Sequence, residues 1–284
     1  MRIIENQKFS SERALYNSQD LKLINCIFEG EEDGESALKE SCNIEVIGSQ
    51  FKLRYPLWHD KNVKVSDSNF YITARAPLWY TSGIEIKDTD ILSPKALREC
   101  DKIKILNSTV DSSEFGWNIS SININNTKAN GEYFMLRARD ITLNNVEFSG
   151  KYSFQYIENA KFENCTLNTK DALWHAKNVH LKNCTVIGEY LGWYSENVTF
   201  ENCIIKGTQP LCYCKSLTLI NCEMHECDLA FEKSEIYAEI TTRVISIKNP
   251  TSGKIYLPCV DEIIKDDTNS RCEILIREGE LSLK

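Results

Sequence analysis

Apolar and polar positions along this chain fall into one short pattern that returns about every nineteen residues. The clearest copies are NAKFENCTLNTKDALWHA (159–176), NVHLKNCTVIGEYLGWYS (178–195) and NVTFENCIIKGTQPLCYC (197–214). Each reads as two inward apolar residues, a polar turn residue, a small residue, another apolar one, a loop and a short aromatic strand. The second inward position recurs at Leu23, Val46, Val65, Ile86, Ile105, Ile124, Leu143, Phe162, Leu181, Phe200 and Leu219. A repeat of this length is too short for a helix pair and too regular for a sandwich. It predicts an all-β chain wound as a parallel β-helix of about eleven to twelve coils. Coils stacked at about 4.8 Å bury their apolar side chains against one another.

Two further columns support this reading. The turn position holds Asn25, Gly48, Asp67, Asp88, Asn107, Asn126, Asn145, Asn164, Asn183, Asn202 and Asn221. Asn, Asp and Gly tolerate a left-handed backbone, and stacked Asn amides can bond along the axis as a ladder. The next position is small throughout, from Cys26, Ser49 and Ser68 to Cys165, Cys184, Cys203 and Cys222. It predicts an inward stack of small side chains just after a tight turn.

The period sets the expected organisation. One domain spans 1–284, with an N-terminal cap at 1–20, regular coils over 21–234, and irregular coils and a cap over 235–284. Longer steps near the start place small loop insertions at Glu31–Gly34 and near Ile72–Arg75. The first residues hold no apolar run long enough for a signal peptide or a membrane span. A net charge of −8 with interspersed signs argues against a nucleic-acid surface. Of twelve cysteines, at least five sit in the small-residue column as ladder members, so the expectation is reduced thiols and a cytoplasmic chain. The ladder also generates two decoys. Asn164-Cys165-Thr166 and Asn183-Cys184-Thr185 match a glycosylation acceptor. Cys212, Cys214, Cys222 and Cys227 with His225 imitate a metal cluster, but C-x-C is not a usual zinc spacing. No metal and no cofactor is expected.

The aromatic strand carries the candidate chemistry. Trp58, Trp79, Trp117, Trp174 and Trp193 share one column with Lys39, Arg98 and Gln155. The Leu-rich column before it must face in, so the Trp column faces out. The column after it runs from Glu40, His59, Tyr80 and Glu99 to Tyr156, His175 and Tyr194. It is too polar for a dry interior, so it belongs to a turn that also faces solvent. Sugar rings stack on flat aromatic faces, so this face suits an oligosaccharide or polysaccharide. The expected ligand-binding residues are Lys39, Trp58, Trp79, Tyr80, Arg98, Trp117, Trp174 and Trp193. Lys39, Glu40, His59, Asp60, Arg98 and Glu99 cluster on the early coils. If the chain is an enzyme, Glu40, His59 and Glu99 supply acid–base groups while Lys39 and Arg98 hold an anionic group. The competing readings are a solvated charge lattice and a stack that serves stability. The second class of function is a non-catalytic scaffold or assembly protein, whose stripe is structural or a protein interface, including one between copies in a homo-oligomer.

The coils with their Asn ladder resemble the pectin lyase-like superfamily. Segments Ser11–Tyr16, Gly34–Ser41, Tyr55–His59, Ala76–Tyr80 and Ser246–Gly253 are similar to a bacterial domain-of-unknown-function family of single-domain β-helix proteins. That resemblance spans nearly the whole chain. It implies the fold, a bacterial source and, with the usual crossover preference, a right-handed winding. It supplies no activity. The N-T-D, paired Asp, G-H-G and R-I-K segments of polygalacturonase-type glycosidases are missing: Asn126-Thr127-Lys128 lacks the acid, and Asp266-Asp267 lies in the tail.

Overall fold

A computed structural model describes residues 1–276. None of them is helical, and nearly every named strand pairs in parallel with its counterpart one coil away. The described strands make about fourteen turns with the nineteen-residue spacing. The chain divides into two compact units, Met1–Ser149 and a second beginning at Gly150.

In the first unit, strands Gln19–Ile24, Cys42–Ile47, Lys61–Ser66, Ser82–Lys87 and Asp101–Leu106 stack in register, with Ile44 beside Val63, Val63 beside Ile84 and Ile84 beside Ile103. Their alternate side chains point inward and are almost fully buried. A second row of short strands carries an internal phenylalanine stack. Ring centroids are 5.2 Å apart from Phe9 to Phe28, 4.8 Å from Phe28 to Phe51 and 4.7 Å from Phe51 to Phe70. In the second unit, Glu158–Glu163, Lys177–Lys182, Glu196–Glu201 and Lys215–His225 repeat the arrangement, with Ala160, Val179, Val198 and Leu217 in one inward column.

The small-residue column faces in, and its chemistry explains its composition. In the first unit hydroxyls of this column accept an N–H from the coil before, Ser49 from Cys26 at 3.0 Å and Ser68 from Ser49 at 3.0 Å. A buried backbone donor outside the sheet thus finds a partner. In the second unit thiols take these places and donate to carbonyls, as Cys184 does to Lys182 at 3.2 Å. All twelve cysteines are free.

The asparagine ladder is present in each unit. Asn145 donates to Asn126 at 2.8 Å, and Asn221 to Asn202 at 2.9 Å, from left-handed backbones. A second ladder, unforeseen in the sequence, follows the aromatic strand. Asn62 donates to Asn43 at 3.0 Å, and Asn197 to Asn178 at 2.9 Å.

Strand pairing continues to both ends of the described chain. Arg2–Glu5 pairs in register with Gln19–Ile24, so the segment expected as a cap forms a coil. Glu235–Ile240 pairs with Ser252–Leu257, and that strand with Glu273–Ile276, so stacking continues through the tail. This accounts for the turns beyond the eleven to twelve expected. The apolar pattern fades here because Tyr237, Ile263, Leu275 and Ile276 are exposed, although the backbone pairing persists. The remainder of the expected cap, 277–284, lies outside the described residues.

Candidate functional site

Strand length decides which side chains reach solvent. The aromatic strands are two residues long, as in Leu57–Trp58 and Leu78–Trp79. Leu57 and Leu78 are fully buried, and the tryptophans beside them are half-buried on the outside. The next residue leaves the strand with a positive φ, +60° at His59, +56° at Tyr80 and +53° at Glu99. Those side chains are exposed. The turn column therefore faces water, as its polarity requires.

The indoles of the tryptophan column are engaged in two ways. Every indole N–H donates to a backbone carbonyl one coil on. Trp58 reaches Ala76 at 2.6 Å, Trp79 reaches Lys95 at 2.8 Å and Trp117 reaches Tyr133 at 2.9 Å. In the second unit Trp174 reaches Tyr190 at 2.6 Å and Trp193 reaches Gln209 at 2.8 Å. The faces are occupied as well. Trp58 and Trp79 stack at 5.2 Å and 4°, and Trp174 and Trp193 at 5.5 Å and 6°. Within each pair, one of the flat faces expected to receive sugar rings is covered on each indole by its neighbour.

Arg98 completes this stack. Its guanidinium lies 4.6 Å from the Trp79 ring and 4.5 Å from the Trp117 ring, and donates to Glu114 at 2.8 Å. It acts as a cation between two π faces, paired with Glu114 while its Nε has no hydrogen-bond partner. Lys39 lies at 4.0 Å from Glu40.

The expected acid–base residues share the turn column but do not converge. Glu40 accepts from the Tyr16 hydroxyl at 2.5 Å, and this bond holds the Tyr16 pKa above its ordinary value. His59 stacks on Tyr80 at 4.8 Å. Glu99 accepts from Asn118 at 2.7 Å. Glu40 and His59 are one rung apart, but Glu40 and Glu99 are three, or about 14 Å. That exceeds the spacing of about 5–9.5 Å at which paired carboxylates cleave glycosides.

Asp60 departs further from the expected surface cluster. It is 1% exposed and points inward. One carboxyl oxygen accepts the Ser41 N–H at 2.8 Å, while Oδ2 has no partner. Burial pushes its pKa up to about 8 against the opposing effect of backbone hydrogen bonds. Its column holds Ser41, Thr81 and Cys100, all buried, and that alignment was a signal available in the sequence. Among the described residues no group of acidic, histidine or cysteine side chains could hold a metal ion.

In the second unit the solvent-facing turn column forms a stacked stripe that the sequence did not foretell. Tyr156, His175, Tyr194 and Tyr213 stack in succession at 4.8, 5.1 and 4.8 Å, with planes within 13°. Tyr156 and Tyr194 are nearly half exposed. Here too the faces are paired, and the solvent meets ring edges, hydroxyls and an imidazole.

The solved structures similar to this chain share little sequence with it. The Azotobacter vinelandii mannuronan C-5 epimerase AlgE4 A-module is 9% identical, with 96% of this chain and 87% of that chain covered and a TM-score of 0.29. The catalytic domain of a GH87 alpha-1,3-glucanase in complex with nigerose is 8% identical, with 98% and 63% covered and a TM-score of 0.27. The plasmid-mediated fluoroquinolone resistance protein QnrB1 is 14% identical, with 83% and 91% covered and a TM-score of 0.17. A comparison with curated proteins found no match. A family model described as a protein of unknown function, DUF3737, matches residues 2–276, and the chain belongs to that family.

Proposed function

We propose that this protein is a non-catalytic scaffold that presents ordered rows of aromatic edges and polar side chains to a macromolecular partner. The observation that carries the reading is the closure of the aromatic stack. Each tryptophan N–H is bonded to a carbonyl, and the paired rings cover each other's faces. What remains outward is a rigid row of tyrosine and histidine edges, of the kind that serves as protein-contact anchors at low entropic cost. The separation of Glu40 from Glu99 and the pairing of Arg98 with Glu114 support a binding role over hydrolysis.

Carbohydrate binding is the second reading. The hydroxyls of Tyr156, Tyr194 and Tyr213 and the imidazole of His175 could bond sugar hydroxyls along a polymer. On this reading recognition works through edges rather than by face stacking. Two measurements separate the readings. Sedimentation of the wild type against a Tyr156→Ser/Tyr194→Ser variant tests self-association through the stripe. A glycan array tests the sugar. The scaffold reading fails if the variant keeps every protein association of the wild type, or if the array finds a binder that the variant loses.

A further inference from the structure

The first unit has one irregular flank. Successive inward positions are nineteen residues apart from Phe51 to Phe70, but further apart from Phe28 to Phe51 and from Phe70 to Ile91. The added residues fall in the two insertions foreseen in the sequence, Glu31–Gly34 and Ile72–Arg75. Between these longer loops lies a coil of ordinary length, carrying Lys52, Leu53 and Arg54. The result is a notch one coil wide, a cleft of about 530 Å³. Its walls are two rungs, or about 10 Å, apart. That volume falls in the range of small-ligand sites.

The charges in the notch are unevenly spent. Lys52 is bonded to Glu29 at 2.9 Å, and Arg54 lies 3.1 Å from Glu35 and 3.8 Å from Glu32. The floor cations are therefore neutralised by the first wall. On the opposite wall the Arg75 guanidinium is exposed and has no ion pair among the described residues. The Glu32 side chain is 90% exposed, and the side chains of Glu31 and Asp33 flank it without partners among the described residues. On the same wall as Arg75, Ile72 is 72% exposed, while Leu53 on the floor is 5% exposed. The notch thus offers a cation and an exposed apolar side chain on one wall and an anionic rim on the other.

We propose that this notch binds a short peptide with free termini. The carboxylate pairs with Arg75, the ammonium group sits at Glu32, and an apolar side chain near the carboxylate covers Ile72. Three extended residues span about 10 Å, the distance between the walls. A polyanion is excluded because the acidic wall repels it. The site adjoins the Trp58 row, since the Trp58 indole donates to the carbonyl of Ala76 beside Arg75, but its charged groups lie outside that stack.

The test is calorimetric titration with alanyl-leucyl-alanine, its C-terminal amide and its N-acetyl form. The free tripeptide is expected to bind at millimolar concentration, and each blocked form roughly fivefold more weakly. Arg75→Ala should erase the difference between acid and amide while keeping the penalty for acetylation. Glu32→Gln should do the reverse. Circular dichroism of the two variants should match the wild type, because both side chains are exposed. Absence of binding by the free tripeptide, or an amide that binds the Arg75 protein as tightly as the acid, overturns the proposal.

Discussion

Trp79 donates its indole N–H to the carbonyl of Lys95 at 2.8 Å, so a side chain of one coil closes the backbone of the next. The bond calls for a side-chain donor at this position, and Gln155 in the same column meets the same requirement by donating to the Asp171 carbonyl at 2.8 Å. Trp79→Phe should cost about 1 kcal/mol through the carbonyl left without its donor. Trp79→Ala should cost about 3 kcal/mol, since it also unstacks Trp58 and uncovers Arg98. Urea denaturation measures both. Equal stability of Trp79→Phe and the wild type would show that the bond contributes nothing.

Asp60 should make stability fall as pH rises. Its carboxyl titrates near 3.8 when unfolded and at about 8 when buried in the folded chain. Between those values the folded state holds a proton that the unfolded state has released. The contribution is fully present below about pH 4 and is lost as pH rises through about 8. Asp60→Asn cannot ionise, so its stability relative to the wild type should grow across that window and then level off. A tenfold change in proton affinity corresponds to about 1.4 kcal/mol, so an advantage of at least ~1 kcal/mol is expected at pH 8. Parallel pH slopes for the two proteins would contradict the buried placement of this carboxyl.

Gly188 has φ +148°, and a Cβ there would lie 1.9 Å from the Thr169 carbonyl oxygen. Gly188→Ala should therefore lose about 2 kcal/mol or more, because the obstacle is backbone one coil away. Gly192→Ala should cost less. Its φ of +71° is near the +60° of Leu173 and the +59° of Leu211, and its Cβ would meet only a Leu211 methyl at 2.7 Å. Melting temperatures of the two variants give the comparison, and a reversed order would be inconsistent with this packing.

Asn183 combines a ladder bond with a left-handed backbone. It donates to Asn164 at 3.3 Å, accepts from Asn202 at 3.3 Å and has φ +53°. Glycine at this position keeps the backbone and loses the amide, whereas alanine loses the amide and strains the backbone. Asn183→Ala should be about 1 kcal/mol less stable than Asn183→Gly, a reversal of the usual advantage of alanine. Thermal unfolding of the pair decides it.

The periodic features were readable from sequence because each coil imposes the same demand at the same offset. A step of nineteen residues puts Ile86, Ile105 and Ile124 in one inward column, and a left-handed turn selects Asn107, Asn126 and Asn145. The polar column of His59, Tyr80 and Glu99 declared its turn by being too polar to bury. What the repeat left open is how side chains in adjacent coils use one another. Only the stacked structure shows that Trp58 and Trp79 cover each other's faces, that Arg98 lies between two indoles, and that Asp60 points inward beside Ser41. The coil-end pairings at Arg2–Glu5 and Glu273–Ile276 were hidden for a related reason: backbone hydrogen bonds can continue a stack where the side chains no longer mark it. Periodicity along the chain records what one coil requires of its own residues. Ring orientation, bond partners and the distance between two carboxylates are set by neighbours nineteen residues or more away, and these only the tertiary structure decides.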